Sequence, residues 1–474
     1  MMLRLYNSLT KTTEPFKPLH PPMVGLYTCG PTVYDYAQIG NCRKYVMDDI
    51  LKRVLIYEGY TVKHVQNITD VGHLVSDADE GEDKLEKGAK RTGKTVWEVA
   101  KFYEDVFHQD MKKLNNLPPD STCRATEHIP EQIELIKRLV AKGYAYDTPE
   151  AVYFDITKFA NYEQLFGQKL SEKAVAVRSE VEKGSHKKHP ADFALWFKRV
   201  GRFVDHMMHW DSPWGDGFPG WHIECSAMSM KYLGVTIDIH TGGIDHLSVH
   251  HPNEIAQSEA ATGKQFVRFW VHHAFLMVDG QKMSKSRGNF YRVVDIEERG
   301  FSPLDLRYLY LLTHYRKTLN FTWESLESAR NARLNIKNQI SKIKMTYQKS
   351  KRTDLSEHRF NTEFQDALQD DLNTSEAMAV VWDLIKSDVS PREKYELLMS
   401  FDEVLGLKLH EIKRSKDQKI KKIPDEIQVL VNKREQLRKE QKWKEADNVR
   451  DELLRKGYEV EDKPEGSVLK IHNT

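Results

Sequence analysis

The chain has only four cysteines, Cys29, Cys42, Cys123 and Cys225, and no two of them form a CxxC pair. That excludes a disulfide framework and leaves free thiols in a reducing compartment, or metal ligands. A dominant charge is missing too: 71 Lys and Arg stand against 70 Asp and Glu, for a net charge of +1. No global field draws in nucleic acid, so any such binding relies on local patches. No apolar run approaches the roughly 18 residues of a membrane span. The opening Met1-Met2-Leu3-Arg4-Leu5-Tyr6 has no secretory core. A cytoplasmic protein without membrane contact is expected. Repeats and long low-complexity tracts are absent as well.

What is present is 474 residues, 40% hydrophobic and 30% charged, enough for about three packed domains. Residues 23–29 read as a short apolar strand. Residues 40–58 read as a helix, with Tyr45, Val46, Ile50, Leu51, Val54 and Leu55 at three- and four-residue steps. Residues 60–68 alternate like a strand. Strand, glycine-containing turn, helix, strand is a unit of a parallel Rossmann-type sheet. Helical patterns follow at 96–114 and 130–142. The charged stretch 147–194 reads as a loop-rich insertion. Strand-like segments at 234–240 and 266–272 flank a helix at 253–262, so the insertion is expected to split one nucleotide-binding fold. Beyond about Ser302 the pattern is wholly helical, with Leu304, Tyr308, Leu311 and Tyr315 on one face. Helices are expected at 323–344, 357–368, 374–386 and 392–401. A basic linker, 413–424, leads to two charge-laced helices at 425–441 and 444–456.

Two distant segments carry the most chemistry. Gly30-Pro31 and the residues to Asn41 form a broken turn opening a helix, which can seat phosphates on backbone N–H groups. Lys282-Met283-Ser284-Lys285-Ser286 is a loop able to bring ammonium charge to the same phosphates. Each alone is equally an ordinary turn or a solvated loop; together they point to an enzyme that splits ATP at the α-phosphate. Cys29, Cys225, His250 and Glu254 form a candidate Cys2HisGlu zinc set, although they come from three separate segments. The alternatives are buried small hydrophobes for the thiols and a capping carboxylate for Glu254. Pro252 suits a first helical position, which places His250 just before a helix. Trp221 is core packing or a pocket wall, and Gly242-Gly243-Ile244-Asp245 is a ribose site or a plain turn. His272 and His273 read as strand residues; His206 and His209 have no evident partners. The tail, with Trp443 and Tyr458, is a candidate RNA surface or simply solvated helices.

Cys29-Gly30-Pro31-Thr32-Val33-Tyr34-Asp35, Asn67-Ile68-Thr69-Asp70-Val71, Asp192-Phe193-Ala194-Leu195-Trp196, Trp210-Asp211-Ser212-Pro213-Trp214-Gly215 and the segments 220–228, 250–258 and 282–290 together resemble cysteinyl-tRNA synthetases. So does the tail around Trp443-Lys444-Glu445-Ala446-Asp447. The resemblance runs in order through nearly the whole chain. It implies an α/β class I synthetase fold: a Rossmann-type parallel sheet split by an insertion, then an α-helical bundle and a small anticodon-binding domain. The expected boundaries are 1–146 and 206–275 for the two catalytic halves, 147–205 for the connective insertion, and 276–322 for a connecting segment with the Lys-Met-Ser-Lys-Ser loop. The bundle takes 323–412, and the linker with the anticodon-binding domain 413–474.

By this resemblance Cys29, Cys225, His250 and Glu254 hold one Zn2+ per subunit, which takes the substrate's thiolate and rejects serine without an editing domain. Lys285, Lys282, Gln38 and Asn41 take catalytic positions. Lys285, Gly40, Gly243 and Asp245 bind ATP with Mg2+, and Gly30, Thr69 and Trp221 line the amino-acid pocket. L-cysteine, ATP and tRNA-Cys are the implied partners of a monomer. The chain departs from the family where Gln38-Ile39-Gly40-Asn41 replaces His-Ile-Gly-His, because amides cannot become cationic. Either the amides suffice, other cations compensate, or activity is lost. Asp70-Val71-Gly72-His73 stands where acidic residues more often follow, and Leu469 where a Trp often stands. The competing readings are the related ligase joining cysteine to an amino sugar in mycothiol synthesis, and a catalytically impaired RNA-binding paralogue.

Overall fold

The computed structural model describes residues 2–72, 83–165, 186–284, 287–346, 355, 358–410, 425–440, 442–456, 458–463 and 466–471. Two compact units divide the chain, Met1–Ile412 and Lys413–Thr474.

The centre of the first unit is a five-stranded sheet. Its order is Val267–His273, Ile237–Gly243, Met23–Thr28, Thr61–Ile68, Ser121–Arg124, with every neighbouring pair parallel. The central strands are buried along most of their length, as expected where helices cover both faces. Chain order reverses between Met23–Thr28 and Ile237–Gly243, and ligands of such sheets bind outside the carboxyl ends at that reversal. Cys29 lies at this seam, its N–H bonded to Thr241 O at 3.2 Å.

The helix Ile39–Tyr57 packs its apolar stripe on the sheet, including Val46, Ile50, Val54 and Leu55. It also buries Arg43, whose guanidinium donates to the carbonyls of Ala274, Phe275, His314 and Lys317 at 2.7–3.1 Å. This ties the helix to two adjoining segments, themselves joined where Ala274 N–H donates to Tyr315 O at 2.8 Å.

The stretch expected to be loop-rich contains strands. Ala145–Asp147, Ala151–Phe154, Phe193–Lys198 and Gly217–Pro219 form an antiparallel sheet. Val152, Phe154, Leu195 and Trp196 share a core with the helix Ile129–Ala141. Short strands separated by a long charged segment concealed the pattern.

The wholly helical reading after Ser302 also needs correction. Leu319–Phe321 is a strand that pairs in parallel with Leu276–Val278. The helix Pro303–Leu311 ends before Tyr315, which is nevertheless buried. The helices Trp323–Thr346, Arg359–Gln369, Thr374–Lys386 and Pro391–Leu405 then pack into the same core as the sheet. The second unit holds helices Asp425–Lys439 and Trp443–Arg455, and adds a hairpin, Tyr458–Lys463 with Gly466–Ile471. The linker 413–424 lies outside the described residues.

Candidate metal centre and nucleotide cleft

At the strand reversal lies a cleft of about 480 Å³, within the range of small-molecule sites. Gly30, Gln38, Gly40, Asn41, Thr69, Trp221, Gly243, Asp245 and Lys282 all line it, as do Cys29, Cys225 and His250. Residues separated by more than two hundred positions therefore meet in one cavity. Lys285 lies outside the described residues.

Cys29, Cys225, His250 and Glu254 are all buried, with one ligand atom from each within 4.8 Å of the others. The helix carrying the last two begins at His250 rather than at Pro252. His250 and Glu254 are thus one turn apart on the same face, and Glu254 is no capping carboxylate. Trp221 and Cys225 stand in the same relation on the helix Trp221–Leu233, and the Trp221 ring sits 4.7 Å from that of His250.

The donor set fits a divalent cation. Glu254 Oε1 lies 3.0 Å from His250 Nε2 yet makes no aligned hydrogen bond, as when two lone-pair atoms are aimed at a shared point. The cluster also favours positive charge. Burial works against ionising His250, but Glu254 and Cys225 outweigh it and push the imidazole up to about 10. Burial likewise opposes the Glu254 carboxylate, but His240 and His250 hold it down at about 2. A hydrogen bond with Cys29 and burial both push the Cys225 thiol up.

A second set, Cys29, His240, His251 and Glu254, is as compact. His240, His251 and Glu254 do not line the cleft, whereas Cys29, Cys225 and His250 do. The first set thus presents three residues to the cleft and the second only Cys29.

The remaining histidines form a layer behind it. His222 Nδ1 lies 2.9 Å from His250 Nδ1, which orients the imidazole with Nε2 toward Glu254. His240 Nε2 is 3.0 Å from Glu254 Oε2. His251 Nδ1 is 2.7 Å from His272 Nε2, so His272 is more than a strand residue. His206 and His209 do have partners, Asp83 at 3.1 Å and Asp216 at 2.7 Å.

Close packing explains the glycines. A Cβ on Gly30 would fall 1.6 Å from Asn67 O, and one on Gly243 2.2 Å from Asp245 Oδ1. Gly30 N–H donates to Asn67 Oδ1 at 2.7 Å; Asn67 Nδ2 donates to Thr69 Oγ1, which donates to the buried Glu224 at 3.3 Å. Gln38 is the N-cap residue of the helix Ile39–Tyr57, and its N–H donates to Asn41 Oδ1 at 3.2 Å. Asn41 therefore serves the helix start with its oxygen and keeps its NH2 for other partners.

On the opposite wall the hairpin of Leu276–Val278 and Gln281–Lys282 carries the lysine-rich loop. Asn289 fastens that loop, accepting from Ser284 N–H at 2.8 Å and donating to Lys282 O at 3.3 Å. Sequence reasoning overlooked Asn289, Glu224, His222, His240 and His251. It overlooked Lys44 as well, which lines the cleft one helical turn after Asn41; that spacing was the available signal.

Residues 15–331 match the family of tRNA synthetases class I (C) catalytic domain. Residues 363–387 match the DALR domain, and 421–467 the cysteinyl-tRNA ligase anticodon binding domain. Cysteine–tRNA ligase 1 of Burkholderia lata is 46% identical over 470 residues, covering 99% of this chain and 97% of the relative. The cysteine–tRNA ligase of Treponema denticola is 44% identical, covering 98% of each. Among solved structures, Mycobacterium tuberculosis methionyl-tRNA synthetase in complex with methionyl-adenylate superposes with a TM-score of 0.56 at 15% identity, covering 81% of this chain and 90% of that one. This last likeness bears on the fold alone.

Proposed function

The chain belongs to the cysteine–tRNA ligases, class I aminoacyl-tRNA synthetases that join cysteine to tRNA, and from that we propose how its own side chains carry the reaction. Cys29, Cys225, His250 and Glu254 hold one Zn2+ per subunit. The observation that carries this is the convergence of three of them on the cleft, with Glu254 behind. Zinc bound there would supply a Lewis acid suited to a deprotonated thiol and with little affinity for the hydroxyl of serine.

Trp221, Thr69 and Gly30 enclose the amino acid. Gly243 and Asp245 receive the ribose of ATP, and Gly40 lets a phosphate approach the N–H groups at the helix start. Gln38 and Asn41 donate neutral amide hydrogen bonds, while Lys282 and Lys285 neutralise the leaving pyrophosphate, with Mg2+ accompanying the nucleotide. The substrate carboxylate attacks the α-phosphorus and pyrophosphate departs. The 2′-hydroxyl of the terminal tRNA adenosine then attacks the activated carbonyl, and AMP leaves.

The catalytic halves are assigned to 1–146 and 206–275, the insertion to 147–205, the connecting segment to 276–322, the bundle to 323–412 and the anticodon-binding part to 413–474. The enzyme is assigned as a monomer of the cytoplasm; no helix among the described residues is long and apolar enough to cross a membrane. The anticodon-domain likeness of the tail favours tRNA over an amino sugar as acceptor. ATP–pyrophosphate exchange tests the reading. Exchange driven by cysteine and not by serine is expected; equal exchange with both contradicts it.

A further inference from the structure

Gln38 and Asn41 leave the start of the helix Ile39–Tyr57 without a side chain able to carry positive charge. One turn further on, Lys44 lines the cleft. Among the described residues around the cavity, the other lysine is Lys282, which is exposed on the opposite wall, and there is no arginine. Lys44 is held in place from behind. Its Nζ lies 2.8 Å from Asp48 Oδ2, and only 11% of its side chain is exposed. Asp48, buried and outside the cleft lining, reaches His273 Nε2 with its other oxygen at 2.9 Å. The ammonium also donates to the carbonyl oxygen of Cys29. The ammonium is thus held within the protein by one hydrogen bond and one ion pair, and it lies 4.7 Å from the centre of the Tyr45 ring.

The pair is a fixed dipole with its positive end on the cleft side. That end is anchored to the backbone of Cys29, beside the position a substrate thiol takes at Cys29 and Cys225. In cysteine the carboxylate is only two carbons from the sulfur-bearing end, so an anionic oxygen must come to rest near this lysine. We propose that Lys44, oriented by Asp48 and His273, contacts the anionic oxygens where the cysteine carboxylate meets the α-phosphate, and supplies the positive charge that Gln38 and Asn41 cannot. This rests on the adenylation reading above.

The test compares Lys44→Met in two backgrounds, the natural chain and Gln38→His/Asn41→His, by cysteine-dependent pyrophosphate exchange and zinc content. Loss of a charge-assisted contact lowers exchange about 100-fold in the natural background. With histidines restored the same substitution costs less than about tenfold, while zinc content holds in every variant. Equal losses in both backgrounds overturn the proposal, since a structural lysine would be needed regardless. Binding measurements locate the contact. Cysteine losing its advantage over cysteamine, which lacks a carboxylate, places it on the amino acid; weakened ATP binding alone places it on the α-phosphate. Neither change overturns the contact. Should Lys44→Met strand Asp48 and unfold the chain, Lys44→Met/Asp48→Asn removes both charges and is read in the same way. Absence of exchange in the natural protein overturns the adenylation reading and this one with it.

Discussion

Met283 lies directly against Gly40: a Cβ built on that glycine would meet the methionine Cε at 3.1 Å. The two sequence segments that first suggested nucleotide chemistry are therefore in contact across the cleft. Their separation in the chain is closed by the strand Leu276–Val278, whose Leu276 Cβ would lie 3.7 Å from the same point.

Gly40→Ala should displace the lysine-rich loop while favouring the helix, since alanine exceeds glycine in a helix by about 0.5–1 kcal/mol. Thermal stability is expected to hold or rise slightly as pyrophosphate exchange falls about tenfold. A parallel fall in both would mean that the glycine serves packing alone.

Asp70 supplies a pH dependence whose sign can be worked out. Burial pushes its carboxyl up to about 6, against the pull of hydrogen bonds from Thr126 N–H at 3.0 Å and Oγ1–H at 2.6 Å. In the unfolded chain the group titrates near 4. Between these values the folded protein binds the proton more tightly. The group's contribution is therefore complete below about pH 4 and is lost as pH rises through 6. Asp70→Asn stays neutral, so its stability relative to the natural chain should rise by about 2 kcal/mol from pH 4 to pH 7. Denaturation midpoints at both values check this, and a difference independent of pH would contradict it.

Arg307 joins the bundle to the sheet. Its Nη2 lies 2.6 Å from Asp49 Oδ2, and its other nitrogens donate to Leu405 O, Leu114 O and Asn116 Oδ1. Both side chains are almost completely buried. Arg307→Leu leaves Asp49 with Arg53 as its one cation among the described residues and the carbonyls of Leu405 and Leu114 without this donor, and should cost about 3–5 kcal/mol in chemical denaturation. A loss below about 1 kcal/mol would show that the pair contributes little.

Deleting 413–474 should spare pyrophosphate exchange and lower tRNA charging at least tenfold. The residues proposed for adenylation all belong to the first unit, which has its own core. Loss of exchange would show that the catalytic unit needs the tail to fold.

Much of this was legible in the sequence because local pattern and site chemistry coincide in the sheet. Met23–Thr28 is a largely apolar strand followed by Cys29, and Ile237–Gly243 is a strand that ends in two glycines; such carboxyl ends mark where ligands sit. The four ligand candidates were identifiable by residue type; their convergence was not, because three strand and helix termini must be folded together before it exists. The start of the helix at His250 was misplaced because Pro252 imitates a first-turn residue, whereas His250 and His251 already have helical positions before it. The histidine layer stayed hidden for a related reason. His222, His240 and His272 each follow their own element's periodicity, and only the tertiary fold brings His222 to His250, His240 to Glu254 and His272 to His251. Lys44 looked like one more charge on an amphipathic helix, and its burial against Asp48 is a tertiary fact.

In the proposed function, a metal centre with two cysteine ligands takes the substrate by its sulfur. Zinc K-edge X-ray absorption on the purified protein, without and with saturating cysteine, tests that claim most directly. The expected spectra show two sulfur ligands, from Cys29 and Cys225, becoming three when cysteine is added and remaining two with serine, with Cys225→Ser losing both the metal and cysteine activation. A zinc-free active enzyme, or a sulfur count that cysteine leaves unchanged, would contradict it.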